Sequence, residues 1–249
     1  MDLLLLLAAF VIAFITMFVG AISGGVGLVL RPVLIFLGFP AVTVVASVRT
    51  AAIPGELPGL FLLHKHKKVD WKLTSFLIIP AFIGSLLASI AVLSIFKGWL
   101  EILIGIILLI VGIFLFVKRQ FGLKERKAPF SNTSRKVLGF FGTLIISFFG
   151  IITGGLGPLY ASFYMFVYGK SYISSSALWR IAIYLGSAVA AAVFIIGGAV
   201  DWMLFIALAI GFGLGSYLGT KYGLKKGEEW IRYIVLITIF ASAIKLIFF

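Results

Sequence analysis

The sequence predicts an all-α integral membrane protein: two inverted repeats of transmembrane helices, each with a short broken helix after a Gly-Gly-x-Gly motif. Three observations lead there. First, 62% of the 249 residues are hydrophobic, only 12% are charged and the mean hydropathy is +1.22. A soluble domain is about 45–50% apolar and about 25% charged. Folded in water, this chain would leave more apolar surface than its polar residues could cover. That excludes a soluble enzyme, a nucleic-acid binder and a disordered chain. Second, apolar runs of about 20 residues, long enough to span a bilayer, recur along the whole length. Third, the chain repeats itself. GAISGGVG at Gly20–Gly27 returns 130 residues later as GIITGGLG at Gly150–Gly157. At an offset of 131, ASVRTA (Ala46–Ala51) faces ALWRIA (Ala177–Ala182), VDW at Val69–Trp71 faces Val200–Trp202, and Gly84-Ser85 faces Gly215-Ser216.

The elements follow in order. Residues 1–118 form the first transmembrane repeat, with apolar segments at 3–21, 26–38, 41–63, 73–95 and 99–118. The N-terminal MDLLLLLAAFVIAFITMF lacks a basic leader and a small-residue cleavage site, so it reads as a retained span. Residues 119–136, basic and carrying Pro129, Ser131, Asn132 and Ser134, are a cytoplasmic linker. Residues 137–249 form the second repeat, with segments at 137–153, 157–169, 172–198, 203–221 and 230–248. The second segment of each repeat holds 13 residues, about 20 Å of helix against a hydrocarbon core of about 30 Å. It follows a Gly-Gly-x-Gly break with Pro32 or Pro158 near its start, where proline is best tolerated.

Charge fixes the relative orientation of the halves. Of 21 Lys and Arg, 15 lie in the stretches 64–72, 118–136 and 221–232, which read as cytoplasmic loops facing anionic lipid. In the first half the VDW loop is basic (Lys65, Lys67, Lys68, Lys72) and the next loop has Lys97 alone. In the second half the VDW loop has no Lys or Arg, and the next carries Lys221, Lys225, Lys226 and Arg232. The inversion of this pattern is that of repeats facing opposite ways in the membrane. Eight spans with parallel halves is the competing count, but it places the 221–232 cluster outside.

Arg49 and Arg180 each lie eight or nine residues into a long apolar helix. An intramembrane charge costs several kcal/mol by most estimates and faces a partner or an aqueous cavity. Guanidinium offers a planar fork of donors suited to oxyanions. The alternative is two structural arginines, one paired with Glu56 and one bonded to backbone carbonyls. At each glycine break (Gly24, Gly25, Gly27 and Gly154, Gly155, Gly157) a helix starts with unpaired N–H groups, and Ser23 and Thr153 add hydroxyls. Two such starts brought together would cradle one small anion; close helix packing by small residues is the other reading. Glu56, in IPGELPG, has Ser187 at its repeat position and either carries a coupling proton or neutralises an arginine. Arg31 has no charged counterpart at Ala161 or Ser162, and either biases binding or balances Glu56.

The remaining candidates carry less chemistry. His64 and His66 in HKHKK sit at a helix end as interfacial anchors, with no carboxylates spaced to complete a metal site. Asp70 and Asp201 cap the helices that follow them. The chain has no cysteine, hence no disulfide frame, thiol chemistry or iron–sulfur centre. No Walker loop, dinucleotide fingerprint or nucleophile elbow appears, so no cofactor is expected. No His/Asp/Glu cluster lies inside the spans to support an enzyme.

The glycine break, the A-x-x-R-x-A helix, the basic loop ending in VDW and the duplication resemble the TauE/SafE sulfite exporter family, also grouped with toluene-sulfonate uptake permeases. The resemblance covers nearly the entire chain. It implies a multi-pass protein of the cell membrane and secondary transport of small sulfur-containing anions such as sulfite, thiosulfate or organosulfonates. Read from the residues themselves rather than from the resemblance, Arg49, Arg180 and the glycine breaks would hold such an anion, and Glu56 would either couple transport to protons or balance an arginine. A passive anion channel on the same motifs is the alternative. The expected partners are the anion and anionic lipid at the basic loops; nucleic acid is not one, and any lipid-facing helix surface could pair with a second copy.

Overall fold

The computed structural model describes residues 3–66, 69–95, 98–117 and 128–226. Nine helices lie within them: α1 (Leu3–Ser23), α2 (Val26–Phe36), α3 (Ala41–Lys65), α4 (Trp71–Ser94), α5 (Leu100–Val117), α6 (Asn132–Thr153), α7 (Gly157–Tyr168), α8 (Tyr172–Ile196) and α9 (Trp202–Lys226). The expected segment 230–248, Arg232 and residues 118–127 of the expected linker fall outside the described residues. Helix α6 begins at Asn132, inside the stretch read as linker, because Ser131 caps it by accepting from the Ser134 amide at 3.2 Å. Among the described residues five helices are long and apolar enough to cross a bilayer: α1, α4, α6, α8 and α9.

The contacts between helices fix their directions. Gly211, Gly215 and Gly219 of α9 meet the backbone of Phe10, Phe14 and Phe18 in that order, so α1 and α9 run parallel. Ser47 bonds to Asp201, Gly55 lies on Phe212 and Gly59 on Ser216, so α3 runs with them. In the other direction run α4, α6 and α8. Gly84 meets Leu144, Ser147 and Phe148, while Gly186 meets Ala81 and Ser85. Between the two sets, Arg49 contacts Ser187 and Glu56 contacts Arg180, so α3 and α8 are antiparallel. Small residues allow each of these approaches: a Cβ on Gly215 would stand 2.7 Å from the Phe14 carbonyl oxygen.

One end of the bundle therefore collects the cations. Lys65 ends α3, Lys72 opens α4, Arg135 and Lys136 open α6, Lys170 precedes α8, and Lys221 and Lys225 end α9. The opposite end carries Glu101 and Asp201 and no Lys or Arg among the described residues. Both VDW aspartates are N-caps: Asp70 accepts from the Leu73 amide (3.2 Å) and Asp201 from the Leu204 amide (2.9 Å). Asp70 also pairs with Lys170 at 3.1 Å, tying the α3–α4 turn to the α7–α8 turn. Partial burial pushes the Asp70 carboxyl upward, but the Leu73 amide and Lys170 outweigh it and hold it below its ordinary value. His64 lies edge-on to Trp71 at 5.7 Å, at the same end.

The two short helices measure 11 and 12 residues, about 16 and 18 Å, and cannot span the hydrocarbon alone. Pro158 occupies the first turn of α7 as expected. Pro32 instead lies in the middle of α2, since α2 ends at Phe36; it leaves the carbonyl four residues back without its helical partner. Helix α3 runs unbroken through Pro54 and Pro58.

Candidate functional site

The two glycine breaks meet. Gly24, Gly25 and Gly154 take left-handed φ values of 75°, 85° and 74°, a region that penalises any side chain. The backbones then touch reciprocally. A Cβ on Gly24 would come 2.6 Å from the Gly157 Cα, and one on Gly27 2.5 Å from the Gly154 Cα. The Gly27 amide donates to the Gly154 carbonyl at 3.1 Å. Part of the glycine content thus serves backbone contact, and the Gly27 donor is spent inside the protein. Gly155 packs against Leu28, and the Thr153 hydroxyl donates back to the Phe149 carbonyl at 3.0 Å. The side chain of Ser23 lies outside the described residues.

Beside this crossing lies a cavity of about 60 Å³. Gly24, Gly25, Gly27, Gly154 and Gly157 line it, together with Arg31, Arg49, Glu56 and Trp179. Arg31 is fully buried, and its guanidinium lies over Gly154, where a Cβ would sit 2.7 Å from Nε. Its Nη1 donates to the carbonyls of Ile151 (2.7 Å) and Ile152. Arg49 donates to the Gly150 carbonyl and, at 3.4 Å, to the Ser187 hydroxyl. Both cations are therefore aimed by the carbonyls of the last turn of α6, which carry the negative end of the helix dipole.

Those bonds leave donors over. Arg31 Nε and Nη2, Arg49 Nε and Trp179 Nε1 are buried with no hydrogen-bond partner among the described residues. Among the described residues neither Arg31 nor Arg49 has a carboxylate partner. A helix dipole contributes about 0.3–1 kcal/mol, up to about 2 in favourable geometry, whereas burying a charge costs several kcal/mol. Two like charges sharing one small cavity therefore suit an anion between them.

Arg180 takes a different place from the one expected. It does not line the cavity, and its guanidinium is fully engaged. Nε and Nη2 donate to Glu56 at 3.2 and 2.7 Å, Nη1 to Thr220 at 2.9 Å, and Nη2 to Ser216 at 3.1 Å. Gly59 makes the room, since a Cβ there would stand 2.5 Å from Arg180 Nη2. This is the structural pairing held open in the sequence, and it fastens α3, α8 and α9 together.

The residues with donors to spare are thus Arg49 and Arg31 rather than Arg49 and Arg180. Sequence reasoning missed Trp179, a variable position inside A-x-x-R-x-A. Its signal was there: a tryptophan deep in an apolar helix lies away from the interfaces where tryptophan usually collects. It also missed Gly150, whose carbonyl aims Arg49.

The sequence profile described as sulfite exporter TauE/SafE matches residues 9–246. This chain belongs to the TauE/SafE family. Across 99% of its length it is 26% identical to a probable membrane transporter protein of Haemophilus influenzae, covering 95% of that protein. Similar likenesses hold for the probable membrane transporter protein ORF9 of a Sinorhizobium species (26%, over 98% of this chain and 92% of the relative) and YfcA of Escherichia coli (24%, over 98% and 90%). No solved structure gave a significant match. As a TauE/SafE family member with five apolar candidate spans among its described residues, the chain is a multi-pass membrane transporter.

Proposed function

We propose that this TauE/SafE protein is a secondary transporter of small sulfur-containing oxyanions, with Arg31 and Arg49 as its binding cations. The observation that carries the reading is the pair of buried arginines, without carboxylate partners among the described residues, around one cavity of about 60 Å³. At about 10–15 Å³ per water-sized sphere, that volume takes about four to six such spheres. Sulfite or thiosulfate fits, and its two negative charges match the two cations. An organosulfonate with a bulky tail needs the site to open.

Alternating access is proposed to use two inverted repeats. In support, residues 131 apart meet partners 130 apart. Gly84 meets Leu144, Ser147 and Phe148, and Gly215 meets Phe14, Met17 and Phe18. The opposite directions of α1 and α6, α3 and α8, and α4 and α9 support the same reading. The cationic end is assigned to the cytoplasm. Glu56 is the coupling residue: it lines the cavity and holds Arg180, so protonating it would loosen the bond between α3 and α8 and let the halves move.

The test is labelled sulfite and thiosulfate flux into proteoliposomes, with and without an imposed pH gradient. Saturable uphill accumulation that collapses with the gradient is expected, and Glu56→Gln should abolish accumulation while sparing exchange. Linear, gradient-blind flux would instead establish a channel.

A further inference from the structure

Resting on the proposed anion site, we infer that Trp179 donates its indole N–H to the bound anion and selects for a three-oxygen head group. Trp179 projects from α8 at the cavity and is 7% exposed. Its Nε1 is buried without a partner among the described residues, although buried indole N–H groups normally find one. Were the ring there for packing alone, phenylalanine would fill the same place without burying a polar group.

The indole is also held from several sides. Its ring stacks on Tyr160 with centroids 6.4 Å apart and planes 18° apart. The Tyr160 hydroxyl is itself fixed by a 2.6 Å bond with Ser147, and the neighbouring Tyr164 by a 2.9 Å bond with Thr143. Gly157 leaves the indole its space: a Cβ there would meet Cζ2 at 2.9 Å and Cη2 at 3.0 Å. Such support fixes a side chain's direction, as a binding site requires. Val48, 131 residues earlier, lines the same cavity without a donor, so the indole supplies an N–H on one side only. Trp71, Trp99 and Trp202 are more than half exposed and fit the interfacial role usual for tryptophan in membranes.

Two guanidinium groups and one neutral N–H make three separate donor groups. A sulfite or sulfonate head presents three oxygens in a pyramid, one to each group, while a carboxylate must serve all three from two oxygens in one plane and meets at least one donor with poorer geometry. Unmet buried donors are how a site rejects a near relative of its ligand.

The experiment uses the full chain in detergent, titrated with sulfite, thiosulfate and acetate. One variant keeps Trp179 as its single tryptophan, with Trp71, Trp99, Trp202 and Trp230 replaced by Phe; the other is Trp179→Phe. Sulfite should change Trp179 emission saturably, and Arg49→Ala should remove that change. Trp179→Phe should bind sulfite about tenfold more weakly, as expected for one lost hydrogen bond. Its preference over acetate should shrink, and its melting temperature without anion should stay level or rise. Wild-type sulfite affinity in Trp179→Phe overturns the inference. So does unmoved Trp179 emission in a single-tryptophan protein that binds sulfite, a readout that stands even if Trp179→Phe fails to fold. Should wild-type protein bind none of the three, the anion site itself falls, and the indole's role with it.

Discussion

Replacing Arg180 and Arg49 by methionine should have opposite consequences, although the two arginines occupy equivalent motifs. Arg180→Met strips Glu56 of its cation along with the bonds to Ser216 and Thr220. Breaking a buried ion pair costs about 3–5 kcal/mol. Because the Glu56 side chain is 20% exposed and water can reach the carboxylate left behind, the expected loss is about 3 kcal/mol, the low end of that range. At about 2–4 °C per kcal/mol for a chain of this size, that lowers Tm by about 6–12 °C. Adding Glu56→Met should restore most of the loss, since an apolar pair can replace a buried ionic one.

Arg49→Met removes a cation that has no carboxylate partner among the described residues. The Gly150 carbonyl it leaves still accepts from the Gly154 amide at 2.9 Å. Stability without ligand should therefore stay within about 1 kcal/mol or rise, because a desolvated charge and its repulsion with Arg31 disappear. Anion affinity should fall by the about 1.5–3 kcal/mol of a charge-assisted bond, or about 10–150-fold. With sulfite at about 100 times Kd, wild-type protein gains about 2.7 kcal/mol, and a variant binding about a hundredfold more weakly keeps about 0.4 kcal/mol. Thermal unfolding in detergent, with and without sulfite, reads both quantities. If Arg49→Met melts as low as Arg180→Met and retains the sulfite gain, Arg49 is a helix cap and the anion binds elsewhere.

Three further outcomes are expected. Gly27→Ala drives a Cβ into the Gly154 backbone and should abolish transport, while Gly213→Ala, with nothing within 4 Å, should stabilise α9 by up to about 1 kcal/mol; equal activity of both variants would remove the crossing from the mechanism. Asp70→Ala should cost about 0.5–2 kcal/mol at neutral pH as a lost cap. Because the folded Asp70 carboxyl sits below its ordinary value, its contribution is present above about pH 4 and fades as pH falls through the folded value, so wild-type and variant melting curves should converge on acidification. In this cysteine-free chain, Cys introduced at Gly98 and at Lys136 should label from opposite faces of the membrane; labelling from one face would overturn the proposed topology.

Much of the fold was legible in advance. Described helix ends fell within a few residues of the apolar runs, because hydrophobic length is what a bilayer reads. The exceptions have local causes. Ser131 caps α6 inside the stretch read as linker, and Pro32, expected near the start of the 26–38 segment, falls mid-helix because α2 ends at Phe36. The residues at the crossing were also legible, because two Gly-Gly-x-Gly copies marked where backbones would come close. Their division of labour was not. Thr153 and Gly155 belong to the same motif as Gly154 and Gly157, yet one bonds its own helix and the other packs on Leu28.

The sequence by itself determined that this is a membrane protein, where its described helices lie and that charge sits inside its apolar runs, because composition and hydrophobic length are properties of the chain alone. Which arginine keeps a free face was decided only by the tertiary structure. Arg49 and Arg180 stand in the same motif, but Glu56 lies within reach of one and the carbonyl end of α6 within reach of the other. An ion's partner depends on distances across the bundle, and those arise only when α2, α3, α6 and α8 pack together.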